Sequence, residues 1–236
     1  YQQYSRIARG LEKADLVLKD ARIVNVFTEE IIRGDIAIQD GIIAGIGSFH
    51  GKEERDLAGN YVCPGFIDSH LHLESTLVTP AELVTVASRH GTTTFIVDPH
   101  ESANVSGLAG IDYILDQTED VKANVYVMMP SCVPATSIDD NGCTLSAEDM
   151  APYLHNSRIL GLGEVMDSIS VVQGDKTMHD KLELFEGRIS DGHAPFLEEG
   201  DLQAYAMAGI ATDHECSFFD YAMRERRNGL TILVRG

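Results

Sequence analysis

The sequence predicts an α/β protein: a (β/α)8 TIM-barrel type fold that runs through seven strands, preceded by a small β-sheet domain. Three observations carry that prediction. Residues 14–60 hold short strands and hairpin signals, the grammar of a small sheet. From Tyr61 onward, β-branched apolar runs alternate with amphipathic stretches, as parallel strands joined by right-handed helical crossovers do. Polar residues recur where those runs end, and barrels of this kind collect their chemistry at the C-terminal ends of strands. This recurrence favours a barrel over an open doubly wound sheet. Two domains are expected, an arm and composite sheet over 1–60 and a partial barrel over 61–236.

The elements follow in order. Residues 1–13 read as a short amphipathic helix or arm. Asp15–Lys19 and Ala21–Phe27 read as two strands separated by a Lys19-Asp20 turn, with further strands at Ile31-Ile32 and Asp35–Gln39. Asp40-Gly41 is a strong hairpin signal before Ile42–Gly47. In the barrel, Thr79-Pro80-Ala81-Glu82 opens a helix that Gly91 ends, because Thr caps, Pro suits the first turn and Glu follows three residues after the cap. Strands are expected at 92–98, 123–130, 158–164, 187–193, 209–214 and 230–235, after the first at 62–67. Helices are expected between them, one capped by Ser146, others near 107–117, 176–185, 201–208 and 218–227.

The formal net charge of −19 speaks against nucleic-acid binding, which needs clustered Lys and Arg against phosphate. The one short basic run, Arg224, Arg226 and Arg227, reads as a solvated helix face. Cys63, Cys132, Cys143 and Cys216 lack C-x-x-C spacing and read as reduced thiols of a cytoplasmic protein. No apolar run approaches the ~20 residues of a membrane span, so no membrane partner is expected.

The first barrel strand ends in His70-Leu71-His72. Residues two apart on a strand point the same way, so both imidazoles leave one face as ligands of a shared metal should. Imidazole suits zinc, iron, manganese or nickel and does not name the ion. Later strand ends add His100 and Glu101, Ser131, Glu164, His193 and His214. Histidines gathered at successive strand ends, with a carboxylate among them, describe a cup of metal ligands. His50, His90, His155 and His179 fall in expected loops or helix ends and read as solvated.

At this point the chain resembles the adenine deaminase family of the amidohydrolase superfamily, nearly from end to end. The matching motifs are PGFIDSHLHLE (64–74), TTTFIVDPHE (92–101), MPSCVPAT (129–136), GLGEVM (161–166), DGHAP (191–195) and TDHEC (212–216). The resemblance implies two divalent metal ions (Mn, Fe or Zn), His70 and His72 on one, His193 and His214 on the other, Glu164 bridging where many relatives use a carboxylated lysine. It implies hydrolytic deamination of adenine to hypoxanthine and ammonia in purine salvage, by a homo-oligomer. Glu215 and His100 are the expected proton-handling or orienting residues, and Ser131, Cys132 and Glu101 the expected substrate contacts. Two rival functions stand beside it: hydrolysis of a cyclic amide, as dihydroorotases and hydantoinases do, and a catalytically inactive subunit. The family's strand-eight aspartate has no counterpart before Gly236, so the chain is expected to be the N-terminal portion of a longer enzyme. Residues 1–236 alone are expected to bind metal weakly, to self-associate and to turn over little adenine.

Overall fold

The computed structural model describes residues 1–136 and 138–235. It divides into two units, Tyr1–Pro64 and Gly65–Gly236, where the sequence reading set the boundary after residue 60.

The first unit is a five-stranded sheet. β1 (Ala14–Asn25) lies between antiparallel β2 (Glu30–Gln39) on one edge and, on the other, the parallel strands β4 (Gly51–Asp56) and β5 (Tyr61–Val62). β3 (Ile42–Gly47) pairs antiparallel with β2 across Asp40-Gly41, both at positive φ as a tight hairpin of that type requires. The Lys19-Asp20 turn expected from the sequence is instead a bulge inside the single strand β1. The cause is Asp35, a buried carboxylate that accepts from Lys19 Nζ (2.5 Å), the Asp20 amide (3.2 Å) and the Phe49 amide (3.1 Å). Those bonds hold Asp20 at φ 49° without breaking the ladder.

The second unit is a seven-stranded parallel sheet whose spatial order follows the chain. It comprises β6 (Phe66–Leu71), β7 (Thr92–Val97), β8 (Asn124–Met129), β9 (Ile159–Val165), β10 (Ile189–Gly192), β11 (Ile210–Asp213) and β12 (Thr231–Ile232). Every neighbouring pair is parallel, and helices fill the crossovers. Phe95, Val127, Met129, Leu162 and Phe185 belong to one buried cluster spanning these elements. Each such side chain contributes about 1.5–3 kcal/mol by leaving water. β6 and β12 are the sheet's edges, and Phe66 and Ile67 on β6 stay exposed.

Local departures have physical reasons. Pro80 stands at the start of helix Pro80–Ser88, but the Thr79 side chain makes no cap bond. Ser146 does, in a reciprocal capping box with Asp149, though the helix it opens is only Ala147–Met150. β7 stops at Val97, and Pro99 caps a helix, His100–Ser106, where the sequence predicts a strand end. His179 lies inside helix Lys176–Leu184, its Nε2 2.9 Å from the Val171 carbonyl, rather than in solvent. The last expected strand shrinks to Thr231–Ile232.

Candidate metal centre

Glu164 is the hub. It sits on β9 and is only 3% exposed. Its Oε1 lies 2.7 Å from His70 Nε2, 2.9 Å from His72 Nε2 and 3.2 Å from His214 Nε2. Its Oε2 lies 3.3 Å from His193 Nδ1 and 4.0 Å from His100 Nδ1. The structure thus brings together His70, His72, Glu164, His193 and His214, from the ends of β6, β9, β10 and β11. His100, from the first turn after β7, joins them at the rim.

Close backbone approach makes this convergence possible. A Cβ on Gly163 would fall 2.2 Å from Asp98 Oδ2, and one on Gly161 would fall 1.9 Å from the Ile189 carbonyl. Glycine at 163 lets the buried Asp98 carboxylate accept the Glu164 amide at 2.6 Å. The Ser131 hydroxyl donates to the Glu164 carbonyl at 2.5 Å, and buried Lys181 donates to the Ser131 carbonyl at 2.6 Å. The Glu164 carboxylate therefore projects from a main chain fastened on both sides.

Asp191, absent from the sequence-stated ligands, orients two of them. Its Oδ2 lies 2.9 Å from His70 Nδ1 and 3.8 Å from His214 Nδ1, and its Oδ1 accepts from the Thr212 hydroxyl. The two rings stack at 3.7 Å, 22° from parallel, so both turn Nε2 towards Glu164. A carboxylate on the far ring nitrogen fixes tautomer and direction in this way. The Asp98 carbonyl does the same for His72 Nδ1 at 2.8 Å. Strand alternation could have found Asp191, because it stands two residues before His193 just as His70 stands two before His72.

The electrostatics pose a question about cations. Burial disfavours ionised Glu164, yet the surrounding imidazoles of His193, His214, His70 and His72 overcome it and hold the carboxyl far below the ordinary range. Burial likewise favours neutral His70, but Asp191 and Glu164 push it up to about 9. His72 and His214 also rise to about 9, against burial, through their bonds to Glu164 with Asp98 and Asp191 respectively. Burial opposes ionised Asp191 too, and His214 and His70 pull it down to about 2. His70 Nε2 and His72 Nε2 stand 3.1 Å apart over one carboxylate oxygen, and buried Nδ1 atoms of His100, His193 and His214 have no hydrogen-bond partner. Crowded imidazole nitrogens, some unpartnered, around a shared carboxylate are a donor set that fits divalent cations. Three overlapping triads are close enough to hold an ion: His70–Glu164–His214, His72–His100–Glu164 and His193–His214–Glu215.

The remaining predicted residues lie around this cluster. Glu215 Oε1 is 3.7 Å from His214 Nε2 and pairs with Arg235. Cys132 is buried, and with Ser131 it lines a cavity of about 320 Å³ that also meets Asp167 and Lys181. Ser131 is fully buried and its hydroxyl is engaged by the Glu164 carbonyl. Glu101 is exposed and accepts from the Ser75 hydroxyl at 2.7 Å.

The chain is also similar to known proteins. A family model described as "Amidohydrolase family" matches residues 61–234. An adenine deaminase of Desulfitobacterium hafniense (strain Y51) is 58% identical over 226 residues, 96% of this chain and 40% of that protein. One from Clostridium acetobutylicum is 48% identical over 230 residues, 97% of this chain and again 40% of that protein. The chain thus spans about 40% of the length of the curated relatives it matches. Among solved structures, molinate hydrolase superposes with a TM-score of 0.62 at 12% identity, covering 95% of this chain and 64% of that one, a likeness of fold. Among the described residues no helix is long and apolar enough to cross a membrane.

Proposed function

The chain belongs to the amidohydrolase family, and on that premise we propose that it is the N-terminal part of a metal-dependent adenine deaminase. The carrying observation is a relative of that name 58% identical across nearly the whole chain, together with the histidine cup around Glu164. The overall change adds the oxygen of water at C6 of adenine and releases the exocyclic amine as ammonia, leaving hypoxanthine.

His70, His72, His193, His214 and Glu164 would hold two divalent cations, with His70 and His72 on one and His193 and His214 on the other. Bound divalent cations make water a nucleophile at neutral pH and neutralise developing charge. Glu164 would be shared between them, since Oε1 faces His70, His72 and His214 and Oε2 faces His193. Asp191 and the Asp98 carbonyl keep the ring nitrogens aimed inward. Glu215, beside His214 and leaning on Arg235, carries the proton lost by water to the departing amine. His100 orients substrate or the neighbouring ligand His72, whose ring it meets edge-on at 4.7 Å. Cys132 and Glu101 are the proposed purine contacts, while Ser131 acts by holding the Glu164 carbonyl. Manganese, iron or zinc would fill the site of a cytoplasmic, homo-oligomeric enzyme of purine salvage.

The test offers the full-length protein adenine, hydantoin and dihydroorotate in parallel. Ammonia and hypoxanthine from adenine alone are the expected result. Ring opening of a cyclic amide with no ammonia from adenine would replace the reading with a cyclic-amide hydrolase. Purified protein that holds no stoichiometric metal and turns over nothing would replace it with an inactive subunit.

A further inference from the structure

Of the four predicted histidine ligands, three are steadied at the ring. His70 is held at Nδ1 by Asp191, His72 at Nδ1 by the Asp98 carbonyl, and His214 stacks on His70. His193 lacks such support. Its Nδ1, 3.3 Å from Glu164 Oε2, makes no hydrogen bond, and its ring meets His214 only edge-on, with centroids 5.5 Å apart. The aim of His193 therefore falls to its main chain.

That main chain leaves the sheet at this residue. The parallel ladder between β9 and β10 closes on the pair Val165–Gly192, past an irregularity after Ser190. Beyond it the Val165 carbonyl and the His193 amide need partners from outside the sheet. The Tyr205 hydroxyl serves both. It donates to the Val165 carbonyl at 2.5 Å and accepts the His193 amide at 3.0 Å, since a hydroxyl is donor and acceptor at once. Tyr205 comes from helix Glu199–Met207 and is fully buried in the main apolar cluster. Glycine at 192 leaves the room: a Cβ there would fall 3.2 Å from the hydroxyl and 2.3 Å from the Thr212 carbonyl.

Val165 directly follows Glu164, so one hydroxyl spans the strand end that carries the shared carboxylate and the strand end that carries His193. Other groups hold the loop further on. Asp213 Oδ1 accepts the Ala194 amide at 2.7 Å, and the Tyr221 hydroxyl donates to the Ala194 carbonyl and accepts the Leu197 amide at 2.8 Å. Among the described residues, Tyr205 alone ties the His193 amide to the strand of Glu164.

We propose that Tyr205 is a positioning residue: its hydroxyl replaces one rung of the β9–β10 ladder and sets the spacing of His193 against Glu164, and with it the grip on the cation that His193 and His214 would hold. The ion-binding consequence rests on the two-cation reading above and the catalytic consequence on the adenine deaminase reading; the backbone tie rests on neither.

The experiment compares full-length protein with its Tyr205→Phe variant, which deletes the hydroxyl and keeps the ring in the core. Amide hydrogen exchange is measured first, on metal-free protein. Segment 190–195 should exchange about tenfold faster in the variant, while segment 66–72 keeps the parent rate. Mn²⁺ is then titrated into metal-free protein, with the free ion read by its electron paramagnetic resonance signal. One of two equivalents should weaken by about tenfold and the other stay within about twofold. At saturating Mn²⁺, kcat for adenine should fall about three- to tenfold with KM within about twofold.

Unchanged exchange at 190–195 would overturn the tie. Selective exchange with unchanged Mn²⁺ affinity would overturn its link to the ion. Faster exchange in both segments, equal weakening of both equivalents, or a variant too unstable to purify would overturn the positioning role in favour of general support of the core. Parent protein that binds two equivalents yet releases no ammonia from adenine would sink the deaminase reading. Parent protein that binds fewer than two would sink the two-cation reading. In either case selective exchange at 190–195 still upholds the tie.

Discussion

Glu164 and Glu225 are both buried glutamates in the same parallel-sheet unit, and their surroundings drive them to opposite charge states. Glu164 meets imidazoles on every side and is held ionised. Glu225 meets Asp213 and is pushed up to about 8, burial first and the neighbouring charge second. Burial alone favours the neutral acid in both places; what differs is the sign of the neighbour. A carboxylate ringed by imidazoles invites cations, whereas a buried carboxyl facing another carboxyl is driven towards its neutral form.

The sharpest way to break that contrast is the same substitution at both sites. Glu164→Gln in the full-length protein keeps shape and removes the charge that gathers the histidines. It should abolish metal retention and lower turnover by about 10³-fold or more, read by elemental analysis and ammonia release, while Glu225→Gln stays near normal. Two retained metals with near-normal turnover in Glu164→Gln would make Glu164 merely structural.

Asp191→Asn probes how far orientation, rather than charge at the bridge, sets the first environment. An amide can present its NH₂ to a ring nitrogen and let His70 and His214 rotate. Metal affinity, measured by chelator competition, should fall by about 10–100-fold. No change would mean that stacking between the two rings is sufficient.

A pH titration of metal-free protein extends the comparison. His70, His72 and His214 are raised from 6.5 to about 9, so their contribution is fully present below 6.5 and is lost as pH rises through 9. Glu164 is depressed, so its contribution is present above 4.5 and is lost in acid. Metal-free protein should lose on the order of a few kcal/mol between pH 6.5 and 9 in denaturant titrations. Loaded protein should resist that loss, because cations replace the ring protons. Parallel curves with and without metal would count against the site.

The smallest expected effect comes from Gly163→Ala, which presses a methyl against Asp98 Oδ2. Asp98 has to shift, loosening its bond to the Glu164 amide, at a cost of about 1–3 kcal/mol in unfolding free energy. A neutral result would show that Asp98 yields freely.

The histidine cup was legible in the sequence because strand alternation places His70 and His72 on one face and because barrels project chemistry from strand ends. Its supports were not. Asp191 reaches His70 across 121 residues of chain, Asp98 reaches the Glu164 amide across 66, and Ser131 reaches the Glu164 carbonyl across 33. Alternation puts Asp191 on the face of His193 but does not name His70 as its partner, and local pattern carries no trace of the Asp98 and Ser131 contacts. The same holds for Lys19-Asp20, whose turn-like sequence is overridden by a distant Asp35, and for Glu225, which reads as one more charge in a basic helix.

Between the two edge strands, Asp68, Ser69 and His70 on one side and Leu233, Val234 and Arg235 on the other border a cleft of about 290 Å³ that reaches His214. Two of the imidazoles that crowd Glu164 thus face this cleft as well as the cup, so a small solute lodged between Asp68 and Arg235 would touch His70 and His214 directly.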